Sequence, residues 1–306
     1  MRFPLHLFYE VPRFNFIKRR HIGFALTLIG MLATAGALAT KGLNFGIDFA
    51  GGVVMEVRTE ANADIPKMRT ILEDGHTLDA TLQSVGDAHQ VMIRLKPHGD
   101  ENQNQVADNV RQLLDQGYGA PITYLRVDYV GPQVGGELIR GSFLALSLSM
   151  VAMMLYLWFR FEWQYGIGGI LALIHDAVLT VGFYAVTQIE FNLTSVAAVL
   201  TIIGYSINDS VVIYDRIREN LRKFKVKPVG DVIDLAVNET LARTFLTGGT
   251  VLMALLGLFF LGGDVLYGFS AAMIFGVFVG TYSSIFVSAN ILYYLDLRNE
   301  GKTVEA

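Results

Sequence analysis

The sequence contains no cysteine and little charge. Without cysteine there is no disulfide framework, thiolate metal site, iron–sulfur cluster or thiol nucleophile, and cysteine usage is silent on compartment. Only 17% of the 306 residues are charged, where a soluble domain carries about a quarter. A net charge of −4 offers no global basic field, so nucleic acid is not an expected partner. No Walker A sequence is present, and no Gly-x-Ser-x-Gly stands in an apolar stretch. An intramembrane aspartyl protease is also disfavoured, because 204–209 is not the Gly-x-Gly-Asp pattern such enzymes carry. The chain is therefore not expected to be an enzyme. What it has instead is apolar residues, at 52%, with a mean hydropathy of +0.42. That is the composition of a membrane protein.

Six apolar stretches are each long enough for a bilayer core, which takes about 20 residues of helix. They lie at 22–40, 138–159, 165–187, 191–214, 244–262 and 268–292. The first is read as an uncleaved span behind a leader, 1–21. A secretory signal is the alternative, since Ala33-Thr34-Ala35 and Ala37-Leu38-Ala39 resemble cleavage sites, but run and leader are both long for one. Lys and Arg set the orientation. The leader holds Arg2, Arg13, Lys18, Arg19 and Arg20, and the 215–243 loop holds Arg216, Arg218, Arg222, Lys223, Lys225, Lys227 and Arg243. The connections after the third and fifth spans hold only Glu190 and Asp264. The positive-inside rule then makes the leader, the basic loop and the tail 293–306 cytoplasmic.

Residues 41–137 differ in composition, with 14 acids against 8 Lys and Arg, and they fall on the outer side. Their pattern predicts strands at 53–58, 80–85, 90–95 and 123–130 and helices at 64–74 and 101–116. The order β-α-β-β-α-β is that of a ferredoxin-like α+β domain, here expected around one mixed sheet. Gly75 suits a helix C-cap, and 86–89 a hairpin turn. Gly51-Gly52 and Gly131-Pro132 at the membrane-proximal ends read as hinges or tight turns, or as ordinary loop punctuation.

Charge inside a bilayer costs several kcal/mol and marks candidate function. His175 and Asp176 lie near the middle of the third span, Asp209 follows Asn208 in the fourth, and Arg243 opens the fifth. Spans four and five run antiparallel, so the long Arg243 side chain is expected within reach of the Asp209 carboxylate. Arg243 also reads as a snorkelling interfacial anchor. His175 reads equally as a core histidine, and Asp176 points about 100° away from it round the helix. Desolvation favours a neutral carboxyl and a cation the ionised one, so such a pair can take up or release a proton as its surroundings change. Thr201, Tyr205, Ser206, Asn208 and Ser210 can hydrogen-bond that carboxyl, hold water, or glue helices together. The row Ala272, Gly276, Gly280, Ser284, Ser288 in the last span suits close packing, in its own bundle or against another subunit. The basic stretch 216–227 suits anionic lipid headgroups or a partner.

These residues resemble a known family. Gly42-Leu-Asn-Phe-Gly-Ile-Asp-Phe-Ala-Gly-Gly52, Val130-Gly-Pro-Gln-Val-Gly-Gly-Glu-Leu138, Phe161-Glu-Trp163 with His175-Asp176, Ile203-Gly-Tyr-Ser-Ile-Asn-Asp-Ser210 with Tyr214-Asp-Arg-Ile-Arg-Glu-Asn220, and Arg243-Thr244 with Gly262-Gly263 are similar to the SecF family of bacterial protein-export subunits. The resemblance implies one six-helix half of a resistance-nodulation-division assembly in the inner membrane, paired with SecD and associated with SecYEG, YajC and YidC. It implies an ATP-independent late role in export, in which an emerging unfolded chain is drawn out at the expense of the proton gradient, without a cofactor. It also implies that the family's proton-pathway aspartate falls on Asp209 and its arginine on Arg243, with no settled role for His175 and Asp176. Two other readings stay open on the residues, a stand-alone proton-coupled exporter of small molecules and a structural scaffold. Sodium is an alternative coupling ion.

Overall fold

The computed structural model describes residues 12–75, 80–85, 87–95, 103–295 and 297–298. Arg2 of the leader, Gly86 of the expected hairpin turn, Glu101 at the expected start of the second outer helix, and the end of the tail lie outside the described residues. In chain order the elements are α1 (Arg20–Thr40), α2 (Ile47–Ala50), β1 (Gly52–Thr59), α3 (Ile65–Asp74), β2 (Ala80–Ser84), β3 (Gln90–Leu95), α4 (Gln103–Gly117) and β4 (Ile122–Val130). Then follow α5 (Pro132–Arg160), α6 (Trp163–Thr187), α7 (Leu193–Lys223), α8 (Val229–Leu261) and α9 (Gly263–Ser283), which continues through a π-helical turn, Ser284–Ser288, into α10 (Ala289–Tyr294).

Six helical segments are long and apolar enough to cross a membrane, so the chain is a multi-pass membrane protein. The sequence reading ended the fourth span at 214 and began the fifth at 244. In the structure α7 runs on to Lys223 and α8 begins at Val229, so only 224–228 connects them. Hydropathy registers only the lipid-facing part of a helix; the extensions carry Asp231, Asp234 and Glu239 yet bury Val232, Ile233, Ala236 and Val237. The chain ends meet at this end of the bundle. The Asp234 carboxylate and the Asn238 amide accept the Ile17 and Phe14 N–H groups at 2.9 Å, and Arg20 donates to the Tyr294 hydroxyl at 2.9 Å.

The centre of the bundle is α6, α7 and the last span, whose apolar windows are 50%, 56% and 61% buried. The first, second and fifth spans are 11%, 6% and 17% buried, so their outer faces are left to lipid or a partner. The small-residue row of the last span packs within this chain: a Cβ on Gly276 would collide with Ile202 of α7, and one on Gly280 would lie 3.1 Å from Ser206. The peripheral first span is seated the same way, with Thr34 filling the space a side chain at Gly182 would need. Gly182→Leu is expected to push α1 off α6 at a cost of about 1–3 kcal/mol, whereas Gly36→Leu, with open space around Gly36, leaves the unfolding midpoint in detergent unchanged.

The outer domain has the expected ferredoxin-like order of elements, with a sheet ordered β2-β3-β1-β4. Every neighbouring pair is antiparallel, so the sheet is not mixed; the split βαβ units place an antiparallel strand between each parallel pair. Alternation puts Val53, Met55 and Val57 of β1 against Met68 and Leu72 of α3 and Val110 and Leu114 of α4, all fully buried. The Asp64 carboxylate caps α3 by accepting the Lys67 N–H at 3.0 Å, and Gly75 ends it. In the β2–β3 turn Asp87 accepts the His89 N–H at 2.8 Å and pairs with Arg58 at 3.3 Å, which holds its carboxyl below the ordinary range.

Among the described residues this domain is seated on the bundle through β3, α2 and the α6–α7 connection. Arg94 of β3 pairs with Glu190 of the α6–α7 connection, and the Asp48 carboxylate in α2 accepts the Leu193 N–H at 3.0 Å. Beneath them Phe45 and Phe49 pack on Phe191. Gly51 and Gly52 have φ of 73° and 138°, values that favour glycine, so the turn from α2 into β1 requires both. Gly131, with φ −69°, is instead the residue before α5, and Pro132 takes the first helical position, where its missing N–H costs nothing. The close approach there belongs to Gly135, whose Cβ would collide with the Phe49 carbonyl oxygen.

Candidate intramembrane polar site

A helix interior satisfies its own backbone, so polar side chains buried between spans must satisfy one another. Half-way along α6, His175 and Asp176 turn inward, 3% and 0% exposed. They act together despite their angular offset: His175 Nδ1 lies 2.9 Å from Asp176 Oδ1. The other oxygen, Oδ2, accepts from the Ser206 hydroxyl of α7 and from the Ser283 hydroxyl of α9, the latter at 2.7 Å. Below this cluster, one helical turn at a time, Ser210 donates to Ser284 at 3.3 Å and Tyr214 meets Ser288 at 2.5 Å. A column of hydroxyls thus runs from Asp176 along the α7–last span seam. The π turn at 284–288 lies in that column, a departure from α-helix often found at functional positions.

Asp209 stands elsewhere. It is 2% exposed, and its Oδ2 is buried without a hydrogen-bond partner. Of the hydroxyls expected near it, that of Ser206 is turned to Asp176 and that of Ser210 to Ser284. One turn earlier Tyr205 faces α8, where a Cβ on Gly248 would come within 3.2 Å of its hydroxyl. Asn208 is exposed on the outer surface of the bundle and is not gathered with Asp209.

No ion pair joins Arg243 to Asp209 among the described residues. Arg243 lines a cavity of about 390 Å³ at the end of the bundle shared by the chain ends, together with Arg160, Asp215, Arg216, Glu219 and Glu239. Arg243 stands midway along α8, exposed, and shares this cavity with Val211 and Val212 of α7, where solvated charges are at hand and no desolvation has to be offset by pairing with Asp209. The cavity has its own ion-pair network, with Arg216 held by Glu239 and Glu219, both at 2.6 Å. Of the candidate residues, then, the structure brings His175 and Asp176 together and leaves Asp209, Asn208 and Arg243 apart.

The comparisons with known proteins agree on one family. Residues 110–298 match "Protein export membrane protein SecD/SecF, C-terminal", and residues 36–63 match "SecD/SecF GG Motif". A protein translocase subunit SecF of Rickettsia felis is 43% identical over 302 residues, covering 99% of this chain and 98% of the relative. The chain belongs to the SecF family. A second SecF, from Rickettsia akari, is 44% identical over 304 residues and covers 99% of each chain. Among solved structures, a Thermus SecDF, titled a translocon-associated membrane protein, is 36% identical with a TM-score of 0.80 over 92% of this chain. A SecDF in a super-membrane-facing form is 35% identical, with a TM-score of 0.74 over 98%. This chain spans only 38% and 41% of those two SecDF chains.

The GG match covers 36–63, which includes Gly51, Gly52 and the Asp48 that caps the outer-domain seat. Of the two serines that hold Asp176, the sequence pointed to Ser206, as a partner for Asp209, and not to Ser283. The spacing of the column was visible, since Ser206, Ser210 and Tyr214 recur every four residues in α7 and Ser284 and Ser288 do so in the last span. What was not visible was which carboxylate they face.

Proposed function

We propose that this chain is an accessory subunit of the Sec translocase, one half of a proton-driven unit whose other half is a SecD-type subunit. In this reading it lies in the bacterial inner membrane with both termini cytoplasmic, works beside SecYEG, YajC and YidC, and promotes late stages of export of an unfolded polypeptide. Asp209 and Arg243 are the proton-pathway residues, and His175, Asp176 and Asn208 are secondary candidates. The protein contributes no cofactor; the gradient supplies the energy.

The observation that carries the reading is Asp209, a buried carboxyl whose Oδ2 has no hydrogen-bond partner, in a bundle whose second and fifth spans are barely covered. A buried polar group left unsatisfied costs about 1–3 kcal/mol, and such a cost is retained where the group works. A SecD-type half docked on the open faces repacks α7 and α8 around Asp209, itself only 2% exposed, and closes the path between it and the Arg243 cavity. Family membership and the match to two-fifths of SecDF support the pairing.

The test is export of a reporter from vesicles carrying this chain and its SecD-type partner, with and without an uncoupler. Asp209→Asn and Arg243→Met are each expected to lower export to the uncoupled rate, with assembly intact. Wild-type rates in both variants overturn the proton reading and leave a scaffold.

A further inference from the structure

A second cavity, of about 620 Å³, opens at the same end of the bundle as the chain ends. Among the described residues its charged lining is Arg218, Arg222 and Lys225 from α7 and the loop after it, Arg298 from the tail, and Glu162 from the α5–α6 turn. Glu162 approaches Arg218 at 3.6 Å, and Arg298 donates to the Phe224 and Lys227 carbonyls, which clamps the tail over the cavity. Arg222 and Lys225, which form no ion pair among the described residues, place positive charge in a concave site.

The level of this cavity in the bundle is set by its neighbours. Trp163, directly after Glu162, is half exposed, and Tyr156 and Trp158 in the last turns of α5 are each 49% exposed. Such half-exposed aromatics mark the depth where acyl chains give way to headgroups. A basic pocket between spans at that depth, with an apolar flank beside it, matches an amphiphile with an anionic head more closely than it matches a soluble anion.

We propose that this cavity is a binding site for the phosphate ester of an anionic phospholipid headgroup, with Arg222 and Lys225 as its principal cations. Those two have no ion pair with an acid among the described residues, whereas Arg218 is partly compensated by Glu162. A bound headgroup ties the α7 end, the α5–α6 turn and the tail together, next to the cavity that holds Arg243.

The chain has two tryptophans, so Trp158→Phe leaves Trp163 as a reporter beside the site. The full chain, reconstituted in vesicles of phosphatidylcholine with increasing brominated phosphatidylglycerol, is expected to show Trp163 quenching that favours phosphatidylglycerol over equally brominated phosphatidylcholine. Each cation near an anionic surface contributes about fivefold in affinity, so Arg222→Gln with Lys225→Gln removes most of that preference. Lys223→Gln, on the same helix but outside this cavity, leaves it intact. Absence of a preference in the parent, or an equal loss in the Lys223 variant, overturns the site in favour of a protein surface or diffuse charge. Inorganic phosphate or glycerol phosphate abolishing the preference at millimolar concentration overturns the lipid source and assigns the cavity to a soluble phosphate.

Discussion

Asp176→Ala is expected to destabilise the bundle by about 1–3 kcal/mol for each buried polar group it leaves without a partner. The carboxylate has both oxygens engaged, Oδ1 with His175 and Oδ2 with Ser206 and Ser283, at a position with no solvent exposure. Alanine takes the partner from His175 and the acceptor from Ser206, whereas the Ser283 hydroxyl keeps the Gly280 carbonyl at 3.1 Å. Asp176→Asn keeps the shape: its carbonyl oxygen accepts from both serines and its amide donates to His175 in the tautomer with a free Nδ1. It is expected to fold with a loss of about 1 kcal/mol, one hydrogen bond's worth. Thermal unfolding in detergent separates the two variants. Equal losses would mean that the negative charge, not the acceptor geometry, holds the three spans together. With folding established, reporter export by the Asn variant decides whether Asp176 works or only fastens: wild-type export removes it from the proton pathway.

How much of this was legible in the sequence differs from element to element. Apolar length gave the six spans, because a bilayer imposes one length on every crossing. It closed the fourth span at 214 and opened the fifth at 244, inside α7 and α8, because Arg216, Glu219 and Glu239 lower the hydropathy of segments that are still helical and ion-paired with each other. Strand alternation gave the outer domain nearly to the residue, because one face is buried and the other open. The four-residue helix α2, with its Asp48 contact, carries no periodic signal and was not foreseen. The intramembrane charges were legible as residues but not as partners. Asp209 lies beside Ser210 in α7, whereas Asp176 is on α6, and only the rotation of α7 decides that Ser206 and Ser210 face α6 and the last span. Hydropathy contains no information on that rotation, since the open faces of the bundle are as apolar as its core.

That rotation also separates two kinds of carboxyl on one seam. Asp176 is enclosed by its own chain on every side, whereas Asp209, three residues beyond Ser206 on α7, retains an oxygen with nothing to bind. A group already satisfied has no free-energy reason to respond to a partner, and an unsatisfied one does. On the proposed function the division of labour is that Asp176 sets the packing of α6, α7 and the last span, and Asp209 is the group expected to change state when another subunit docks.

Leu72→Ala should unfold the outer domain while sparing the membrane bundle. Leu72 is fully buried between α3 and the sheet, and truncating a core leucine costs about 2–5 kcal/mol. A domain of this size has only a few kcal/mol in hand, near the lower end of the roughly 5–15 kcal/mol found for folded domains. Its core, centred on Val57, Met68, Leu72 and Leu114, shares no residue with the two bundle clusters, and the seat at Arg94, Glu190 and Phe191 is small. Limited proteolysis in detergent is expected to cut the variant between β1 and β4 and to leave a resistant fragment starting near α5, while Arg69→Ala on the exposed face of α3 stays as resistant as the parent. Loss of the bundle along with the domain would show that the seat, not the domain's own core, holds β1 to β4 in place. If the resistant fragment retains its fold but the variant no longer supports gradient-dependent export, the outer domain is required for work that Asp209 and Arg243 alone do not perform.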